Sequence, residues 1–189
     1  MLKRLLLLLS LAGGTPLLHA QASATASRAG DILVGGGYST AASDYGVRFN
    51  GFNIYGDFDF LSHFGVEAKF NYVKAPSPSI LSEKTYEIGA RYFRTYRRLV
   101  PYGKIMVGRG VFNYPACFGP PADQNVACAN LAYNEVSAGI GTDVKVRPWL
   151  YVRADYEFQH WFSFRGTPTS TPDSLAPKVF SIGAAYHFR

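Results

Sequence analysis

Apolar and polar side chains alternate through almost every segment after residue 30, and this pattern constrains the fold more than any other feature. Between Leu150 and Trp161, the even-numbered positions are apolar through Phe158, whereas the odd-numbered positions include Arg153 and Asp155. Successive side chains of a β-strand point to opposite faces, so a period of two indicates strands with one apolar and one polar face. No segment shows the period of an amphipathic helix. The sequence therefore predicts an all-β chain.

The alternation recurs in eight segments, and the connections between them differ in length. The predicted strands are Asp31–Ser39, Phe52–Phe60, Phe64–Tyr72, Tyr86–Tyr92, Tyr102–Phe112, Asn134–Val146, Leu150–Trp161 and Val179–Phe188. Tight turns follow the second, fourth and sixth strands, at 61–63, 96–99 and 147–149. Long polar loops follow the others, at 40–50, 74–84, 113–132 and 163–177. Short turns at one end and long loops at the other predict an eight-stranded antiparallel up-and-down transmembrane β-barrel.

The apolar face could line a soluble barrel or cover a membrane barrel, since both have a period of two. Two features favour the membrane. Aromatic residues stand near the ends of the apolar faces, as interfacial girdles do: Phe52, Phe60, Phe64, Tyr72, Tyr86, Tyr92, Phe180 and Phe188. The polar faces collect eight of the 13 acidic residues, namely Asp57, Asp59, Glu67, Glu87, Glu135, Asp143, Asp155 and Glu157. Basic residues share those faces, as expected for a polar lumen.

The first residues resemble a secretory signal. A basic start at Lys3 and Arg4 precedes a run from Leu5 to Leu18 that is shorter than the ~20 apolar residues of a membrane-spanning helix. We predict a signal peptide over 1–22 that is cleaved after Ala22, a flexible lead-in over 23–30, and one barrel domain over 31–189. Export excludes a cytoplasmic enzyme.

Charge and composition agree with this class. The charged fraction is 17%, below the ~25% of ordinary soluble domains. Removal of the signal lowers the formal net charge from +6 to +4, and the basic residues are scattered. A nucleic-acid-binding protein is therefore disfavoured.

The end of the chain carries a family resemblance. Gly183, Tyr186 and Phe188 form a Gly-x-x-Tyr-x-Phe ending, which resembles the signal that the barrel-assembly machinery reads, although Arg189 follows it here. With the strand count and loop alternation, residues 31–189 resemble the eight-stranded outer-membrane barrels grouped with opacity-type surface antigens and OmpA/OmpX-like domains.

This resemblance implies a monomer of the bacterial outer membrane, surrounded by lipid and lipopolysaccharide, with both termini in the periplasm. We predict a structural or adhesion-like role, with four loops available to an extracellular partner. We expect no cofactor, no metal and no catalytic residues.

Cys117 and Cys128 are the only cysteines, and both lie in the third long loop. In an exported protein such a pair predicts a disulfide, which would stabilise the fold by ~3 kcal/mol in the chain-entropy account. The alternative, a metal or redox pair, lacks a nearby histidine and a C-x-x-C spacing.

The charged lumen has two interpretations. An eight-stranded barrel is just wide enough to be filled by side chains, and buried charges must pair, so a packed plug is predicted. Inward glycines at 89, 139, 141 and 183 could instead leave a narrow wet path for ions or small solutes.

Six basic residues lie near the predicted loop ends of the strands and are candidate contacts for lipopolysaccharide phosphates. They are Arg48, Lys74, Lys84, Arg109, Arg165 and Lys178. Arg109 falls on the apolar phase beside Ile105 and Val107. Either it faces the lipid, or a bulge at a neighbouring glycine turns it inward.

Lipid A-modifying barrel enzymes also exist, and a hydrolytic one needs a serine, a histidine and an acid within reach of each other. The only candidate cluster is Glu157, His160 and Ser163, in which His160 has the opposite strand parity. We interpret His160 and Trp161 as part of the outer aromatic belt.

Overall fold

Nine strands account for most of the residues that the computed structural model describes, which are 30–44, 46–79, 81–114, 129–162 and 174–188. They are β1 (Asp31–Ala42), β2 (Arg48–Asp59), β3 (Phe64–Lys74), β4 (Ser82–Phe93), β5 (Leu99–Tyr114), β6 (Ala129–Arg147), β7 (Leu150–Phe162), β8 (Ser174–Leu175) and β9 (Lys178–Phe188). Within this part of the chain, no helix has the length and apolarity needed to cross a membrane.

The strands pair into a closed antiparallel barrel. Each strand from β1 to β7 pairs with the next one, β7 also pairs with β9, and β9 pairs with β1. The two-residue β8 adds to the end of β7 and does not take part in closure. The predicted eight-stranded up-and-down barrel is confirmed. Its two ends are called here the turn end, with the short connections, and the loop end.

The strands extend further toward the loop end than the alternation predicted. β1 continues to Ala42 and β2 already begins at Arg48, so the predicted loop 40–50 shortens to 43–47. The predicted loop 74–84 likewise shortens to 75–81. Strand pairing depends only on backbone hydrogen bonds, so it continues toward the loop end after the outer-face residues cease to be apolar. At these paired positions the outer face carries Arg48 and Asn50.

The barrel closes along a seam of very small residues. Gly35, Gly36 and Gly37 of β1 pair with Ala185, Ala184 and Gly183 of β9. A Cβ atom added to Gly37 would overlap the carbonyl of Ile182 and the Cα of Gly183. The two strands therefore approach closely because neither carries a side chain there.

The barrel interior is layered. At the loop end an apolar cluster closes the lumen, made of Ala41, Phe49, Val73, Ala75, Phe112, Tyr133, Trp161, Leu175 and Val179. At the turn end two smaller clusters do the same, made of Leu33, Tyr55, Ala185, Phe93, Val100 and Tyr102. Charged side chains lie between these layers. The outer surface exposes large apolar residues such as Ile105 and Ile140, two-thirds of whose surface is accessible.

Candidate functional site: the lumen and the basic rim

Two buried arginines hold three carboxylates in the middle of the lumen. Arg153 donates from Nε to Asp143 Oδ1 at 2.7 Å and from Nη1 to Glu67 Oε2 at 3.0 Å. Its Nη2 also bonds Asp57. Arg91 donates to the same Asp57 at 2.5 Å and bonds Asp143. Each carboxylate is thus shared by two cations, which offsets the cost of removing these charges from water.

Two buried lysines extend this network from β3 and β5 to β7. Lys104 Nζ lies 2.7 Å from Glu67 Oε1 and 3.0 Å from both Asp155 Oδ2 and Glu157 Oε2. Lys69 Nζ lies 2.9 Å from Glu157 and 3.2 Å from Asp155. The lumen network is therefore Asp57, Glu67, Asp143, Asp155 and Glu157 with Lys69, Arg91, Lys104 and Arg153.

Tyrosine rings occupy the remaining space around the guanidinium groups. Arg153 Cζ lies 3.9 Å from the ring centroid of Tyr55, and Arg91 Cζ lies 4.3 Å from that of Tyr102. The Tyr102 hydroxyl donates to Asp155 Oδ1 at 2.8 Å. These contacts add cation–π attraction to the ion pairs of the network.

Side chains fill the space beside Gly110 and beside two of the four predicted inward glycines, Gly139 and Gly141, whereas the nearest neighbours of Gly89 and Gly183 are backbone atoms. A Cβ atom on Gly110 would lie 2.6 Å from the ring of Trp161, and one on Gly139 would lie 2.8 Å from Lys104. A Cβ atom on Gly141 would overlap the ring of Tyr102. Gly139 and Gly141 thus accommodate side chains of the adjacent strand β5, and Gly110 accommodates Trp161 of β7, which is two strands away.

Trp161 is not part of the outer aromatic belt, so that prediction was wrong. Its side chain is completely buried in the lumen, its N–H donates to Gln159 Oε1 at 3.1 Å, and its ring packs on Tyr133. The physical reason is strand parity, since position 161 shares the inward face with Glu157 and Gln159. The predicted girdle residues, by contrast, lie on the outer face.

Two further buried acids lie beside the lumen network, one of them in register with Lys69, and sequence reasoning did not place them together. Glu87 on β4 and Glu135 on β6 are both in register with Gly108 on β5, which has no side chain to separate them. Glu87 accepts from the Ser137 hydroxyl at 2.7 Å. Glu135 is 2% exposed, and no hydrogen-bond donor among the described residues reaches either of its oxygens.

A strip of three basic residues lies on the outer face at the loop end. Lys74 and Lys84 place their Nζ atoms 5.9 Å and 5.5 Å from the ring centroid of Tyr72. Arg109 is exposed on the same face. The β4–β5 and β5–β6 registers pass through Gly108 and Gly110 without a shift, so the bulge interpretation was wrong. Lys74, Lys84 and Arg109 are called here the loop-end basic strip.

The other candidate contacts lie elsewhere on this rim. Arg48 and Lys178 are exposed on either side of β1, each in register with Ala42. Arg165 lies outside the described residues, as do the predicted signal peptide and both Cys117 and Cys128.

The candidate catalytic residues do not converge. Glu157 is buried in the lumen, whereas His160 is exposed on the outer face and stacks on Phe162. Ser163 lies outside the described residues. Among the residues the structure describes, no group of three or more His, Cys, Asp or Glu could hold a metal ion.

The residues of the terminal Gly-x-x-Tyr-x-Phe ending occupy both faces of β9. Tyr186 and Phe188 face outward with ring centroids 4.8 Å apart, and Gly183 lies in the closing seam opposite Gly37.

The chain matches the family described as outer membrane protein beta-barrel domain over residues 5–188. Ail, the attachment invasion locus protein of Yersinia pestis in complex with the heparin analogue sucrose octasulfate, is 21% identical over 84% of this chain and 99% of its own, with a TM-score of 0.55. Neisserial surface protein A is 12% identical over 85% and 97%, with a TM-score of 0.62. OprG from Pseudomonas aeruginosa is 14% identical over 85% and 97%, with a TM-score of 0.58. No curated protein matches the chain.

Proposed function

We propose a function for a chain that belongs to the family of outer-membrane protein β-barrel domains and is located in the outer membrane. The protein is a non-enzymatic surface scaffold with a structural or adhesion-like role. Barrels of this kind have short periplasmic turns and longer extracellular loops, so the loop end faces outward. Four connections are then available to an extracellular partner. The attachment role in the name of Ail is compatible with this fold.

The observation that carries the proposal is the filled lumen. Four bases and five acids pair at its centre, and apolar layers close both ends. A solute would have to displace paired charges and side chains such as Trp161. Function at the outer surface is therefore favoured over transport through the barrel.

Two measurements separate this proposal from its alternatives. In planar bilayers we expect no stepwise conductance, with a porin reconstituted in the same way as the positive control. A stable unitary conductance would instead support the narrow pore. Overexpression should leave the lipid A acylation pattern unchanged by mass spectrometry. A change that disappears on His160→Ala would identify an enzyme.

The adhesion-like role has its own test. Cells that display the protein should bind extracellular-matrix proteins or polyanionic glycans more strongly than cells that display a variant shortened between Tyr114 and Ala129. A second variant shortened at 75–81 shows which loop is responsible. Equal binding by all three strains, at equal amounts of heat-modifiable protein, would refute this role.

We further propose that the loop-end basic strip, with Arg48 and Lys178, contacts lipopolysaccharide phosphates. Guanidinium and ammonium groups suit phosphate oxygens. An outward arginine costs little near an interface but ~2–4 kcal/mol at mid-membrane. A phosphate near Arg109 would explain why an arginine occupies a lipid-facing position.

The terminal Tyr186 and Phe188, exposed on the last strand, are proposed contacts for the barrel-assembly machinery.

Neutralising the strip should weaken lipopolysaccharide binding. The variant Lys74→Gln/Lys84→Gln/Arg109→Gln loses three charge-assisted contacts, so we expect at least about tenfold weaker binding by the refolded barrel. Lipopolysaccharide without lipid A phosphates serves as the matched ligand and should bind both proteins equally weakly. Unchanged affinity for the phosphorylated form would remove the strip from the proposal.

A further inference from the structure

A second group of basic residues lies at the opposite end of the barrel, where the sequence indicated only tight turns. Arg94, Arg97 and Arg98 belong to the β4–β5 connection, and Lys145 and Arg147 end β6. The Lys145 N–H donates to the Arg98 carbonyl at 2.7 Å, so the two turns are adjacent. Four of the five side chains are exposed, and that of Lys145 is half-buried. They are called here the turn-end basic patch.

The patch is not balanced by acids of its own turns. Residues 94–99 and 145–149 contain no aspartate or glutamate. Asp143, the nearest acid along β6, is buried and bound by Arg91 and Arg153. At the turn end, Asp59 lines a cleft with Thr95 of the β4–β5 connection, and Asp31 Oδ1 lies 3.6 Å from Nε2 of His187, whose backbone N–H donates to the Trp149 carbonyl. These two acids therefore lie near the patch, and its five basic residues outnumber them.

The backbone at the centre of the patch is in a conformation that favours glycine. Arg97 has a φ of 56°, and the turn is fixed by reciprocal hydrogen bonds of 2.7 Å and 2.9 Å between Tyr96 and Leu99. This left-handed conformation is uncommon for residues other than glycine. The hydrogen-bonded turn places Arg97 at its tip, between the two halves of the β4–β5 hairpin.

The surroundings of the patch mark the height of a membrane interface. Tyr96 and Trp149 are 54% and 47% exposed, and Leu99 beside them is also exposed. Arg94 Cζ lies 5.9 Å from the ring centroid of Tyr96. Tyrosine and tryptophan prefer the headgroup region, and arginine stems extend from the apolar zone toward it. The basic groups therefore stand level with lipid headgroups.

We infer that the turn-end basic patch binds anionic phospholipid headgroups of the periplasmic leaflet. A basic residue near an anionic membrane surface contributes about 1 kcal/mol. Several such residues on one side would enrich phosphatidylglycerol-like lipids next to β5–β7. An acidic periplasmic protein is a less suitable partner, because the patch lies beside interfacial aromatic residues rather than below the membrane.

Trp149 is a built-in reporter for this test. The chain has two tryptophans, and the other one, Trp161, is buried in the lumen. The full barrel is placed in two sets of phosphatidylcholine nanodiscs, one with a small share of brominated phosphatidylglycerol and the other with the same share of brominated phosphatidylcholine. The brominated lipid quenches the fluorescence of a tryptophan that it contacts. A Trp149→Phe variant gives the Trp161 background. We expect quenching of Trp149 to report a roughly fivefold enrichment of the anionic lipid, the factor for one basic residue.

In the variant in which Arg94, Arg97, Arg98, Lys145 and Arg147 are all replaced by glutamine, Trp149 fluorescence should be quenched equally by both lipids. The loop-end triple variant is the matched control and should keep the preference, since its charges lie at the other interface. Unheated gel mobility confirms that each variant is folded. Equal quenching of the unsubstituted protein by both lipids, or a preference that survives the turn-end substitutions, would overturn the inference. Equal quenching together with capture of an acidic periplasmic protein would assign the patch to that partner instead.

Discussion

Arg153→Gln is expected to lower the free energy of unfolding by about 4 kcal/mol, whereas Glu135→Gln should not lower it at all. Arg153 donates to Asp143 and Glu67 and bonds Asp57. Its loss leaves three buried carboxylates with fewer cations, and breaking a buried pair from one side costs about 3–5 kcal/mol. Glu135 has no donor among the described residues, and a neutral amide can donate to Glu87.

The two substitutions form a matched pair, since each replaces one buried ionisable side chain of the lumen with glutamine. Denaturant unfolding in lipid vesicles, followed by gel mobility and tryptophan fluorescence, measures both. Arg48→Gln at the exposed loop-end rim controls for general loss of positive charge and should be neutral in the absence of lipopolysaccharide. An Arg153 variant as stable as the starting protein would mean that the lumen carboxylates do not depend on it.

Gly37→Ala is expected to weaken barrel closure by about 3 kcal/mol. Its Cβ atom would overlap the carbonyl of Ile182 and the Cα of Gly183, and neither backbone atom can rotate away. The closing strands β1 and β9 would have to separate along the seam. The fraction of protein with the compact, unheated gel mobility should therefore fall, and its unfolding midpoint should shift to lower denaturant concentration.

Gly56→Ala on the neighbouring strand is the matched control, because the nearest atom to its Cβ would be the carbonyl oxygen of Leu33 at an ordinary 3.9 Å. That variant should fold and unfold as before. If both alanines are tolerated equally, the close approach at the seam is not required for closure.

Strand parity carried most of what the sequence could predict. It placed Arg153 and Glu157 in the lumen and the aromatic girdle on the lipid side, because parity depends only on the chain itself. Trp161 was misassigned because residue type was given more weight than its odd position. The strand ends at Ala42 and Arg48 were missed because pairing continues where the apolar alternation has stopped.

Features that depend on register between strands lay beyond sequence reasoning. Glu87 and Glu135 are 48 positions apart, and only their common register with Gly108 brings them together. The turn-end basic patch joins two turns for the same reason. Register fixes which side chains meet across strands, and the alternation leaves it undetermined.

The lumen network also bears on the order of assembly. Arg153 on β7 binds Asp57 and Glu67, which precede it by 96 and 86 residues. Before β7 joins the sheet, these carboxylates lack one of their cations. Transfer of an unpaired charge from water to the bilayer interior has a high free-energy cost. A chain that entered the bilayer strand by strand would pass through such states. We therefore expect the early strands to remain hydrated and to enter the membrane together with the last hairpin, so that insertion and the expulsion of lumen water are a single event.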